Sequence, residues 1–260
     1  MQDLKIALIQ FAPEWENLSE NIKRIRTLIE AVQEADILLL PEMFLSGFTM
    51  HPEAVAINRD SSEYRQLQDM AEEKNCVICG SVIWSEGGTY TNRFLWIEPN
   101  ASIRHYDKRH LFAFAGEDKV YTRGKNPILI EYKGWKIAPF ICYDLRFPVF
   151  MRRRESLNYD LILLVASWPE RRSLAWQSLL PARAIENQCY VAAVNRVGQD
   201  GNGILHEGLS QMLNFKGQAL AEAGSFRENI VEARLSYAAL EEFRRRFAFY
   251  ADGDRFEILD

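Results

Sequence analysis

WKIAPFICYDLRFP, residues 135–148, decides how this chain is read. Trp135 to Ile141 is an apolar run of strand length, rich in aromatic and β-branched residues, and a thiol and a charged turn follow it. Such a run fits a strand covered on both faces. In open α/β sheets ligands collect at the carboxyl ends of strands, so a strand ending on Cys142 places a nucleophilic atom where chemistry is done. A buried cysteine is also an ordinary small hydrophobe. The rest of the chain must choose between the two.

Outward from this stretch, strand-like and helix-like segments alternate. Upstream, residues 5–11 (KIALIQF) and 36–42 (DILLLPE) read as buried strands. Residues 17–35 read as a helix, with Ile22, Ile25, Leu28 and Ile29 recurring on one face. A helix over 64–75, a strand over 76–84, and two strands over 91–99 and 102–108 joined by the turn EPNA (98–101) follow. Downstream, the pattern predicts a helix over 146–158, a strand over 160–167, and a helix over 171–188 kinked at Pro181. It then predicts a strand over 189–195, a turn-rich hairpin over 200–208, strands over 209–215, 219–223 and 229–235, and a closing helix over 237–246. Alternation with late hairpins implies an α/β fold with mixed sheets, helices lying outside two facing sheets. No linker or repeat divides the chain, so one domain over residues 1–260 is expected.

Composition narrows the class. With 260 residues and 48% hydrophobic content, the chain can bury a large core. A net charge of −5 gives no basic footprint for nucleic acid. The N-terminus lacks the pattern of a signal peptide, and no apolar run reaches the ~18 residues a membrane span needs. A soluble, cytoplasmic protein is expected. Four cysteines are too few for a disulfide scaffold. Cys76 and Cys79 have redox or zinc spacing, but in a strand that spacing puts the thiols on opposite faces, and no second pair completes a metal site. Cys189 reads as a buried hydrophobe.

Three strand ends carry reactive side chains: Glu42 after ILLLP, Lys108 after IRHYD and Cys142 after IAPFI. Singly, each is a common residue in such a place. Together, a base, a cation and a nucleophile suit acyl transfer. An ordinary thiol is a few per cent thiolate at neutral pH, so it needs a carboxylate to take its proton. A lysine would stabilise both thiolate and oxyanion, and the Tyr143 N–H, just after the nucleophile, would be a second oxyanion donor. A Ser/His hydrolase is disfavoured, since no Gly-x-Ser-x-Gly elbow is present.

The words LLLPEMF (38–44), YDKRHLF (106–112) and FICYDLRFP (140–148) resemble, in order, the signature segments of the nitrilase, or carbon–nitrogen hydrolase, superfamily. The resemblance runs from LKIALIQFAPEWENLSENI (4–22) to HEGLSQMLNFKGQALAEAG (206–224). It implies a four-layer α-β-β-α sandwich, assembly as a homodimer or larger homo-oligomer, and no metal or organic cofactor. It implies that Glu42 is the general base, Lys108 the lysine and Cys142 the nucleophile. A second glutamate is implied at Glu117, with Asp118 adjacent. Residues 41–50, 142–150 and 167–188 are most similar to the omega-amidase branch, which hydrolyses the terminal amide of 2-oxoglutaramate or 2-oxosuccinamate. At 167–169 the chain has SWP where that branch leads one to expect NWP, which puts local substrate contacts in question.

For an acidic amide, Arg171 or Arg172 would clamp the carboxylate, against the plainer reading of a solvated helix start. Phe48 and Trp168 would wall the site, against core packing. Arg146 reads as a structural ion pair. A general aliphatic amidase, a nitrilase and an N-carbamyl amino acid hydrolase remain alternatives, as does a catalytically silent binding or assembly module.

Overall fold

The computed structural model describes residues 2–100 and 102–258. Ala101, last residue of the expected turn at 98–101, lies outside the described residues. In chain order the first half runs β1 (Leu4–Gln10), α1 (Leu18–Ala31), β2 (Ile37–Leu39), α2 (Pro52–Val55), α3 (Ser62–Lys74), β3 (Val77–Glu86), β4 (Thr89–Ile97), β5 (Ile103–Asp107) and α4 (Glu117–Val120). The second half runs β6 (Ile130–Tyr132), β7 (Trp135–Ile141), α5 (Pro148–Met151), β8 (Leu161–Ala166), α6 (Ser173–Asn187), β9 (Tyr190–Asn195), β10 (Val197–Gln199), β11 (Leu205–Glu207), β12 (Gln211–Leu213), β13 (Ala219–Glu222), β14 (Asn229–Leu235) and α7 (Tyr237–Arg246).

Two six-stranded mixed sheets form the centre, in the orders β14-β1-β2-β3-β4-β5 and β13-β12-β9-β8-β7-β6. The alternation of side chains along β1 shows how they are layered. Leu4, Ile6 and Leu8 meet Ile137, Leu161 and Leu163 of the other sheet in one core. Ala7 and Ile9 point the other way, into a second core with Ile22, Ile25 and Ile29 of α1 and Leu67 and Met70 of α3. On the far side Trp176, Leu180 and Ala184 of α6 close the second sheet. The result is the expected α-β-β-α sandwich. The cysteine spacing resolves as expected too: Cys76 lies in the outer core and Cys79 in the inner one.

Local signals account for the helix boundaries. The Asn17 side chain accepts the Glu20 N–H at 3.2 Å and caps α1. Asn75 and Gln188, both left-handed, close α3 and α6. The helix α6 continues through Pro181. The helix predicted over 146–158 is not there. Pro148 starts a single turn, α5, which ends at Met151. Beyond it no apolar residue recurs at helical spacing, and the Arg154 guanidinium donates instead to the carbonyls of Phe150 and Arg152, at 3.3 and 3.1 Å. Tyr159 donates to the Met151 carbonyl and ties off the turn.

Candidate active site

Glu42, Lys108 and Cys142 meet between the two sheets. Lys108 and Cys142 directly follow β5 and β7, while Glu42 lies three residues past β2. Two left-handed residues turn the chain here. Met43, at φ +47°, follows Glu42, and Cys142 itself sits at φ +42°. A non-glycine residue there is strained, by about 1–3 kcal/mol, and is held by its surroundings. At Cys142 the holding group is Asp144. Its carboxylate accepts the Ile141 N–H at 2.9 Å, the Tyr106 hydroxyl at 2.8 Å and the His110 ring at 2.7 Å. The cysteine turn is thereby bolted to the end of β5, which delivers Lys108.

The Lys108 ammonium is buried and lies 2.8 Å from Glu42 Oε1 and 2.9 Å from Glu117 Oε2. Glu117 is the second carboxylate; Asp118 faces solvent. Asn92 Nδ2 donates to both, at 2.8 Å to Glu42 and 3.1 Å to Glu117. The main-chain N–H of Ser167 donates to Glu42 Oε2 at 2.8 Å, and that of Phe112 to Glu117 Oε2 at 2.5 Å. Phe48 places its ring 5.3 Å from the ammonium.

Burial shapes the proton affinities. It works against the Lys108 cation, but Glu117 and then Glu42 outweigh it and hold the ammonium protonated. Burial pushes Glu117 above the usual carboxylate range despite the lysine. Burial, then the charge of Glu42, drives the Cys142 thiol well above its ordinary value, against the pull of Lys108 and the Ser167 N–H. The resting sulfur is therefore a thiol, with the Glu42 carboxylate beside it as an acceptor for its proton.

A cavity of about 380 Å³ opens onto this cluster, lined by Glu42, Lys108, Cys142, Tyr143, Ser167 and His206, among others. Phe48, Trp168, Arg171 and Arg172 line it as well. Tyr143 is in the first turn after the thiol, where N–H groups have no acceptor within their own helix. Trp168 does both things weighed for it, being buried in the core and forming wall. Arg172 lies over the rings of Phe112 and Phe114, at 5.1 and 5.4 Å. Arg146 corrects the sequence reading. It makes no ion pair among the described residues; its guanidinium stacks 4.9 Å from the Trp168 ring at the cavity wall.

Sequence reasoning missed Asn92, Ser167 and His206. Asn92 had little signal, lying between Thr91 and Arg93 in the polar half of β4. The use of Ser167 through its main chain had none. No group of three or more His, Cys, Asp or Glu suited to a metal occurs among the described residues, and no described helix is long and apolar enough to cross a membrane.

The carbon–nitrogen hydrolase family model matches residues 5–245. The chain is 42% identical to omega-amidase YafV of Escherichia coli K12 over 258 residues, 99% of this chain and 100% of the relative. It is 32% identical to the 2-oxoglutaramate amidase of Bacillus subtilis over 251 residues, 95% of this chain and 96% of that one. The crystal structure of XC1258 from Xanthomonas campestris, a CN-hydrolase superfamily protein with an arsenic adduct in its active site, superposes with a TM-score of 0.95 at 42% identity, covering 99% of this chain and 100% of that one.

Proposed function

Because the chain belongs to the carbon–nitrogen hydrolase family, whose enzymes hydrolyse non-peptide carbon–nitrogen bonds, we propose that it is a cysteine-dependent omega-amidase. Its substrate is the monoamide of a small 2-oxo dicarboxylic acid, 2-oxoglutaramate or 2-oxosuccinamate, and its products are the diacid and ammonia. The observation that carries this reading is the meeting of Lys108 with Glu42 and Glu117 beside the Cys142 thiol, at the foot of a cavity walled by three arginines. The names of the full-length relatives favour the amide over a nitrile.

In this mechanism Glu42 takes the thiol proton as sulfur attacks the carbonyl carbon. Proton transfer and attack go together, because a free thiolate is disfavoured in the buried site. The carbonyl electron pair moves onto oxygen, where Lys108 and the Tyr143 N–H receive it. Each such donor is worth about 3–4 kcal/mol of barrier. The oxyanion collapses, the C–N bond breaks, and Glu42 returns its proton to nitrogen, releasing ammonia and leaving a thioester. Water, deprotonated by Glu42, adds to the thioester. Collapse breaks the C–S bond, frees the acid and restores the thiol. Glu117 and Asn92 hold Lys108 and Glu42 in register throughout.

The far carboxylate of the substrate is received by Arg146, Arg171 and Arg172, with Phe48 and Trp168 as apolar walls. The whole chain acts as one catalytic domain, in a cytoplasmic homodimer. Apolar side chains left exposed by one chain, such as Val149 of α5 and Ile185 of α6, favour self-association.

The test is ammonia release from 2-oxoglutaramate, 2-oxosuccinamate, butyramide and a nitrile of equal length. The 2-oxo monoamides are expected to lead in kcat/KM by about a hundredfold. Equal rates on butyramide would reduce the reading to a general aliphatic amidase, and faster nitrile turnover to a nitrilase. A Cys142→Ala chain that still releases ammonia would remove the nucleophile.

A further inference from the structure

Two cavity-lining groups have no part in the steps above: the Ser167 hydroxyl and the His206 ring. They face each other, with Ser167 Oγ 3.2 Å from His206 Nε2. The other ring nitrogen, Nδ1, is 3.0 Å from the Ile204 carbonyl oxygen. A carbonyl oxygen only accepts, so Nδ1 carries a hydrogen. The ring has no second one near neutral pH. Burial, then the nearby Arg196 cation, pushes His206 down to about 4, and the Asp200 carboxylate and the carbonyls of Gly198 and Ile204 do not restore it. Nε2 is therefore a bare lone pair, and the Ser167 hydroxyl donates to it.

That fixes what the hydroxyl offers the cavity. Its one hydrogen is engaged, so its remaining lone pairs can only accept. It also stands beside the reacting atoms, since the N–H of the same residue reaches Glu42 and bears on the Cys142 sulfur. We infer that the Ser167 hydroxyl, oriented by His206, accepts an N–H of the substrate carboxamide and so selects amides over isosteric esters and nitriles. A carboxamide nitrogen brings hydrogens to this point, whereas an ester oxygen or nitrile nitrogen brings another lone pair, leaving two acceptors face to face. Holding one N–H also aims the nitrogen lone pair toward the proton that Glu42 returns. Ser167 is thus a specificity-determining residue and His206 a positioning residue. The inference rests on the amidase reading.

The test compares 2-oxoglutaramate with the 5-methyl ester of 2-oxoglutarate, and butyramide with methyl butyrate, in the full-length protein. Ser167→Ala keeps the main-chain N–H to Glu42 and removes only the acceptor. It is expected to lower kcat/KM for the amides about tenfold, the effect of one lost hydrogen bond, and to leave the esters within about twofold. His206→Phe frees the hydroxyl to donate and should lower the amide-to-ester ratio similarly. The double variant should show no further fall, because both changes break one interaction. Equal losses on amide and ester, an unchanged ratio, or additive losses would overturn the inference. If His206→Phe does not fold, the Ser167→Ala ratio decides alone. A wild-type chain that turns over butyramide but not 2-oxoglutaramate overturns the omega-amidase reading, while the butyramide pair still reads the inference.

Discussion

Strands β4 and β5 carry two ion clusters, one on each face, built from consecutive residues. On the outward face Arg93 grips Asp107 with both arms, at 2.7 and 2.9 Å, and reaches Glu86 at 2.8 Å. One residue along each strand, on the inward face, Asn92 and Lys108 meet Glu42 and Glu117. The pleat alone separates them. The outward cluster faces water at Glu86, 65% exposed, and its guanidinium lies over the Trp84 ring. The inward cluster is buried at the foot of the cavity, with Lys108 at 1% and both glutamates at 0% exposure. Both have two carboxylates to one cation. Outside, water screens the surplus charge. Inside, only Asn92 and two main-chain N–H groups offset it, and the surplus is left beside the Cys142 thiol as a proton acceptor. An ion cluster becomes a candidate for chemistry when its imbalance is buried and has a reactive neighbour.

The strongest way to break this comparison is to remove the central cation of the inner cluster. Lys108→Ala leaves two buried carboxylates unpaired, so turnover should be lost and stability should fall by about 3–5 kcal/mol. Lys108 follows a strand end, which in sequence suggests a dispensable position for the fold, but its complete burial says otherwise. Ammonia release and urea denaturation measure the two effects. Full stability in Lys108→Ala would mean that the inner carboxylates are already protonated.

Next is the pH response of the buried site. Between pH 6.5 and about 4 unfolded chains protonate His206 and folded ones do not. Stability at His206 is therefore complete above pH 6.5 and declines with acidification, by about 3 kcal/mol in all. Glu117 runs the opposite way. Its raised folded affinity means the native state holds the proton longer, so its contribution falls as pH rises above the unfolded carboxylate value. Denaturation from pH 7 to 4 should lose most of its slope in His206→Gln and become steeper in Glu117→Gln. Parallel curves for wild type and both variants would contradict the assignment.

Asn92→Ala removes a donor shared by both inner glutamates. We expect kcat to fall about tenfold, with the acidic limb of its pH profile moving upward as the carboxylates bind protons more tightly. A profile that drops without shifting would make Asn92 a packing residue.

The outer cluster gives the smallest effects. Asp107→Asn should lose about 1 kcal/mol of stability and Glu86→Gln less than that, with kcat within about twofold of wild type in both. A large loss of turnover in either would show that the two faces are coupled through the strand.

Much of this was legible in the sequence, for physical reasons. Periodicity and apolar runs report burial, so α1 and the strands of the two sheets except the edge strand β6 could be placed. Glu42 and Cys142 stand at ends of apolar runs, where a polar residue is conspicuous, and Lys108 follows the strand IRHYD. Asn92 does not stand out between Thr91 and Arg93, and its partners are fifty residues upstream and twenty-five downstream, so only folding joins them. Ser167 and His206 are likewise joined across thirty-nine residues. Arg146 was misjudged because an arginine beside a turn usually finds an acid, and here it finds the face of an indole. The helix expected at 146–158 followed propensity, which loses when no apolar stripe anchors the segment.

The contact that Glu42 receives from the main chain depends on no donor side chain. The Glu42 carboxylate is held from behind by the peptide N–H at position 167. Evolution edits side chains, so this part of the site passes unchanged through almost any substitution there. Serine can stand at 167 where asparagine was expected, and the grip on Glu42 remains. What is inherited at that point is the path of the chain after β8 rather than a letter, and a search by motif would not see it. Proline alone, lacking the hydrogen, would erase it.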